Sequence, residues 1–198
     1  MTRWQRIKSW FGIAPAKVAP VAAPAPVLPS PTPPRASWRR LATIEGRTVF
    51  YDREREILQW TAGMRIDNDG EGGNSEGDKY HQSETSYRHP NGRSLNPYKV
   101  PFMVCPLSVL RLVKPFVVGS RCTMEHNGLS ITGIVGDTGG RNPRTNEERI
   151  GEASVRAAEM LGINPDPVRG GTTRPVTYTI HLGQSCVIDG IAYHPKPS

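Results

Sequence analysis

At 198 residues the chain has room for one independently cored domain with tails. Its 36% hydrophobic content, 20 glycines and 19 prolines point away from a helical bundle and toward a loop-rich, β-leaning protein. The formal charge of +7 belongs to one end: residues 1–40 carry seven Lys/Arg and no acid, and the other 18 Lys/Arg face all 18 Asp/Glu. The basic pI is thus a property of the tail, and a nucleic-acid-binding reading of the remainder loses its main support.

No run of eighteen apolar residues occurs, so no segment reads as a membrane span. The three cysteines, Cys105, Cys122 and Cys186, lack any C-x-x-C spacing and argue against zinc. They read as small buried hydrophobes, and whether one pair is bridged stays open.

Residues 1–12 place Trp4, Ile7 and Phe11 on one helical face, ringed by Arg3, Arg6 and Lys8. Such a segment suits docking to a membrane surface or a protein partner, and equally a frayed terminus without a role. Its apolar core is too short, and too interrupted by Lys8 and Ser9, for a secretory signal. Residues 13–36 form a Pro/Ala-rich linker, with eight prolines between Ala14 and Pro34, and read as an extended spacer. Together they make a disordered N-terminal tail ahead of a folded domain at 37–198.

Within that domain, Thr48–Tyr51 and Ile57–Trp60 read as strands. Met64-Arg65-Ile66 leads into an acidic loop from Asp67 to Asp78 whose acids overlap a calcium-loop spacing. It lacks the clear following helix of an EF-hand, so calcium stays an alternative to a solvated turn and no metal ligand is assigned. Lys99–Cys105 is a strand bounded by prolines, and Pro115 limits any helix over 107–113. The strongest local signal is the hairpin at 117–137, two strand-like runs around Asn127-Gly128, the preferred centre of a type I′ turn. Its second run ends at Gly136-Asp137.

A Gly/Asn/Pro-rich loop then leads to Gly151-Glu152, where the spacing predicts a helix over 153–161, with Val155, Ala158 and Leu161 inward and Gly162 past its end. Val176, Tyr178, Ile180 and Leu182 alternate with polar residues as a half-buried strand. Val187-Ile188 and Ile191–Tyr193, across Asp189-Gly190, are expected to close the sheet as a last hairpin. About seven strands and one packed helix predict a mainly β (α+β) fold, a compact β-barrel.

One carboxylate therefore stands at a strand end and another at a predicted helix start, joined by a loop that can bring them together. Two carboxyl groups across one cleft are what hydrolysis of a glycosidic bond requires. Asp in a turn and Glu in a first helical turn are also ordinary structural choices.

Gly136-Asp137-Thr138-Gly139 followed by Ile150-Gly151-Glu152-Ala153-Ser154 resembles the paired "GDxG … GEaS" core of the chitosanase-type glycoside hydrolases of family 75. Met64–Gly70 is similar to that family's "M-x-I-D-x-D-G" segment, Val100–Val104 to its "vPyfV" strand, and Val176–Ile180 to its "V-x-Y-x-x-F" strand. The four blocks span about Arg47 to Gly183, although the loop between Asp137 and Glu152 is a little longer than in fungal members.

The resemblance implies a barrel of the double-psi type. It also implies an endo-acting, inverting hydrolase of β-1,4-linked amino-sugar polymers. Asp137 and Glu152 would then be catalytic, with Asp67, Asp69, Thr138 and Tyr178 binding substrate. No cofactor is implied, and a monomer acting on a polysaccharide is expected. A helix start would hold Glu152 charged, as a base, whereas burial would make it the proton donor. The second assignment, Glu152 as acid and Asp137 as base, is the one adopted. The basic, proline-tethered tail also fits a peptidoglycan-directed or phage-associated enzyme. A non-catalytic glycan-binding or assembly protein on the same scaffold is the non-enzymatic alternative. Scattered histidines and the absence of a G-x-S-x-G elbow give no support to a nucleophilic hydrolase.

Overall fold

The computed structural model describes residues 37–74, 78, 80–113, 117–142 and 144–197. The segment 1–12 and the linker 13–36, with the docking and spacer roles expected of them, lie outside the described residues. In chain order the elements are β1 (Trp38–Ile44), β2 (Arg47–Asp52), β3 (Ile57–Asp67), β4 (Phe102–Pro106), α1 (Leu107–Leu112) and β5 (Arg121–His126). They continue as β6 (Leu129–Gly139), β7 (Glu152–Ser154), α2 (Val155–Met160), β8 (Thr172–His181), β9 (Cys186–Ile188) and β10 (Ile191–Tyr193).

The expected barrel is present and closed. Strands β3, β7, β4, β6, β5 and β8 are paired in that order, and β8 returns to β3 to complete a ring of six. Two of the pairings, β3–β7 and β4–β6, are parallel, and the rest of the ring is antiparallel. The hairpin β1–β2 extends the sheet from the edge of β3. The Asn127-Gly128 hairpin forms as expected, both residues holding positive φ (48° and 81°) as a type I′ turn demands.

Two expectations need correction. The β9–β10 hairpin does not close the main sheet and forms a two-stranded sheet of its own. Glu152 does not begin a helix: it opens strand β7, and the helix starts three residues later at Val155. The physical reason is pairing. Arg65, Ile66 and Asp67 of β3 align with Glu152, Ala153 and Ser154, and a backbone committed to a ladder cannot also turn as a helix.

The interior follows from alternation along the strands. In β3, Leu58, Trp60, Ala62, Met64 and Ile66 are buried and alternate with half-exposed residues as far as Arg65. In β8, Val176, Tyr178 and Ile180 fill the core in the same alternating way, with Thr179 between the last two also buried. Trp60 stacks on Tyr178 across the β3–β8 seam, with centroids 5.6 Å apart. A second cluster lies outside the ring, where Phe102 and Ile134 pack against Tyr87, Leu95, Val118 and Tyr193. Strand β4 is therefore covered on both faces, and all five of its residues are buried.

Ser154 locks β7, β4 and α2 together. Its buried hydroxyl accepts from the N–H of Phe102 (3.0 Å) and, as the helix cap, from the N–H of Ala157 (3.2 Å). It donates to the carbonyl of Val100 (2.9 Å). Removing it orphans two buried N–H groups and a carbonyl at once. Ser154→Ala is expected to destabilise the domain by about 2–4 kcal/mol, read as a lower midpoint in urea with an unchanged slope.

Candidate active site

Three of four neighbouring strands, β3, β7 and β6 with β4 between the last two, each deliver an acid to one face of the sheet. Ile66, Ala153, Met103 and Val135 point into the barrel core. Their neighbours Asp67, Glu152 and Val104 therefore turn the other way. Asp137 joins them through an irregularity. Met103 of β4 aligns with Val135 of β6, but Val104 aligns with Asp137, so Gly136 is an extra residue in the ladder. This bulge puts Asp137 on the face of Val104, where simple alternation from Val135 and Gly136 would have aimed it into the core. Only glycine fits at the bulge: a Cβ on Gly136 would lie 2.6 Å from Phe102 and from the Leu95 side chain.

Asp69, two residues past the end of β3, completes a group of four. Asp69 donates its backbone N–H to Asp67 Oδ1 (2.7 Å), and its own Oδ1 accepts from the N–H of Gln82 (2.6 Å). Asp137 Oδ1 accepts three hydrogen bonds, from the Ser86 N–H (3.0 Å), the Ser86 hydroxyl (2.5 Å) and the Thr138 N–H (2.7 Å). Ser86 Oγ also lies 2.8 Å from Thr138 Oγ1. One carboxylate oxygen is thus pinned, and its orientation is fixed before any ligand arrives.

Removal from water disfavours the charged form of every member. Burial pushes Glu152 up to about 7, against the nearby positive charges of Arg65 and Arg149. Asp69 rises to about 6, again chiefly through burial. Asp67 is pushed well above the ordinary carboxylate range by burial and then by the charges of Glu152 and Asp137. Asp137 is also raised by burial, while its hydrogen bonds from Ser86 and Thr138 oppose the shift.

The group lies where two cavities meet. One, of about 420 Å³, is lined by Asp137, Thr138, Ser86 and Glu84 together with Asp67, Asp69 and Glu152. The other, of about 700 Å³, shares Asp67, Asp69 and Glu152 and continues past Arg65, Arg149 and Arg144. The chain at Gly140 runs directly over Glu152: with φ at +74°, a Cβ there would sit 2.9 Å from Oε2. Among the described residues no cluster of three or more His, Cys, Asp or Glu is arranged to hold a metal ion. Of the acids in the calcium-like spacing, Glu71 turns to Arg93, whose Nε donates to it at 2.7 Å.

Of the four other residues singled out from the sequence, three line the same groove as Asp137 and Glu152 and one does not. Asp67, Asp69 and Thr138 are there. Tyr178 is not: it is fully buried, stacked on Trp60, and its hydroxyl donates to the carbonyl of Gly63 (3.0 Å). A strand position facing the barrel interior gives it a core role and no contact with the groove. Ser86, Arg65 and Arg149 were missed: the first two act across long stretches of chain, and Arg149, three positions before Glu152, sits in a loop whose course the spacing does not reveal. Arg65 grips Glu45 with both terminal nitrogens (2.7 and 3.0 Å) and also donates to the Ile150 carbonyl (3.1 Å) beside Glu152.

A raised carboxyl pKa binds its proton more tightly in the folded state. Between the ordinary value near 4.5 and about 7, folded Glu152 holds a proton that the unfolded chain releases, so its contribution to stability falls as pH rises through that window. Glu152→Gln is expected to be more stable than the parent at pH 8, by on the order of 2 kcal/mol, with the difference vanishing below pH 4. Thermal melts across that range read it directly. No protein-family model matches this chain, and no curated protein matches it.

Proposed function

We propose that the protein is an endo-acting glycoside hydrolase that cleaves β-1,4 linkages in an amino-sugar polymer by an inverting, two-carboxylate mechanism. One observation carries the reading: an oriented carboxylate, Asp137, and a buried carboxyl poised near neutrality, Glu152, face a single open groove. Strands β6 and β7 flank β4, so their backbones are about 10 Å apart at a strand spacing near 4.8 Å. That spacing leaves room for a water between the two groups, which inversion needs and retention does not.

Glu152, protonated below about pH 7, gives its proton to the glycosidic oxygen as the bond to the anomeric carbon breaks. Asp137 removes a proton from a water that attacks that carbon from the opposite side. The product sugar emerges with inverted configuration, and the two acids exchange protons with solvent to reset. Asp67 and Asp69 supply acceptors for the hydroxyl or ammonium groups of the sugar bound over them. Correcting Glu152 from a helix start to a strand favours its acid role, because no helix dipole then holds it charged.

Asp137→Asn and Glu152→Gln are each expected to lower hydrolysis of chitosan or a glucosamine oligomer by about a hundredfold or more, without loss of the folded spectrum. Products resolved by anomeric form should be inverted at first release. Near-parental rates in either variant would remove that residue from the chemistry, and a retained anomer would remove the inverting route.

The rate should follow a bell in pH. Its acid limb reports ionisation of Asp137, and its alkaline limb reports loss of the Glu152 proton near pH 7. Arg149 holds the Glu152 value down by its charge, so Arg149→Ala should move the alkaline limb to higher pH while leaving the acid limb in place.

A further inference from the structure

The groove does not keep one sign of charge along its length. Its first cavity is walled by Asp67, Asp69, Asp137, Glu152 and Glu84, with Arg88 as the sole basic lining residue among those described. Beyond the shared acids, the second cavity adds one acid, Asp78, against three arginines, Arg65, Arg144 and Arg149. A third cavity of about 780 Å³ shares Arg65 and Gly170 with the second and adds Arg47 and Arg174, its one acid being Glu45, the partner of Arg65. The three are thus strung together by common walls, acidic at one end and basic at the other.

The arginines are not equivalent. Arg65 is committed to Glu45 in a two-pronged ion pair. Arg47, Arg144, Arg149 and Arg174 have no ion-pair partner among the described residues. They come from β2, the 140–151 loop and β8, three separate stretches of chain converging on one trough. An ammonium-rich polymer lying along the full groove would be attracted at the acidic end and repelled at the other. Guanidinium groups with open donors match carboxylates.

We infer that the basic arm of the groove binds carboxylate groups, so that the substrate is an amino-sugar glycan carrying acidic substituents on the units beyond the cleaved bond. This rests on the hydrolase reading for the word "substrate", but the carboxylate site stands on the arginine trough alone. The carboxylate can be borne by the sugar itself or by a peptide attached to it, since both present the same planar anion.

The test uses the full chain and two polymers of matched length, chitosan and carboxymethyl chitosan, with calorimetry on the corresponding oligomers and Glu152→Gln as the non-turnover form. Expected is tighter binding and a lower KM for the carboxylated material, weakening as salt rises. Arg47→Glu combined with Arg174→Glu should reduce that preference roughly tenfold. Equal or weaker binding of the carboxylated oligomer, or a preference untouched by the double variant, overturns the inference whether or not either polymer is cut. Preference for the carboxylated oligomer with no reducing ends from either polymer supports the carboxylate site and removes the hydrolase reading instead. Cell-wall glycan strands with and without their peptides then separate the two sources: tighter binding of the peptide-bearing strands assigns the carboxylate to peptide, and equal binding assigns it to the sugar.

Discussion

Desolvation of several like charges in one place is the constraint from which the rest of the site follows. Asp67, Asp69, Asp137 and Glu152 share the walls of a single groove, and each is held toward its neutral form chiefly by burial. Four carboxylates that close cannot all be ionised, so the group keeps protons at pH values where free carboxyls have lost them. What distinguishes the members is their partners. Asp137 receives three donors on one oxygen and so has the most support for its anion. Glu152 has only the more distant charges of Arg65 and Arg149 to oppose its burial, and keeps its proton to about neutrality. One environment thus yields two chemical characters, which is the division of labour acid–base hydrolysis needs.

The scaffold serves that division by rigidity. Strand ladders position Glu152 and Asp67, and the bulge at Gly136 turns Asp137 to their side. Strand-borne groups hold their geometry more closely than loop-borne ones. Ser154 ties the same strands to the neighbouring helix, so the site and the local fold share one set of buried hydrogen bonds.

Much of this was legible in the chain, and what was not has a common cause. The Asn127-Gly128 hairpin, the alternation of β8 and the apolar face of α2 are local patterns, and each formed where the spacing put it. Asp137, Glu152, Asp67 and Asp69 were singled out through a resemblance in sequence, and the groove brings them together. Strand β7 was missed because its three residues are strand only by virtue of β3 and β4 beside them. The bulge at Gly136 is a property of two strands in register, invisible in either alone. Ser86 reaches Asp137 across 51 positions, with no spacing to announce it. Tyr178 was given to the substrate through the resemblance alone, while its alternating, half-buried strand already suited a core position, which the closed ring gives it.

That closure carries a cost in time. The seam joins β3 to β8, and the Tyr178 hydroxyl reaches Gly63 across 115 positions. During synthesis β3 leaves the ribosome long before its partner exists, so one of its edges waits unpaired while most of the domain is made. Productive folding therefore favours prompt elongation or a chaperone that shields that edge, and nascent chains stay open to mispairing until β8 emerges.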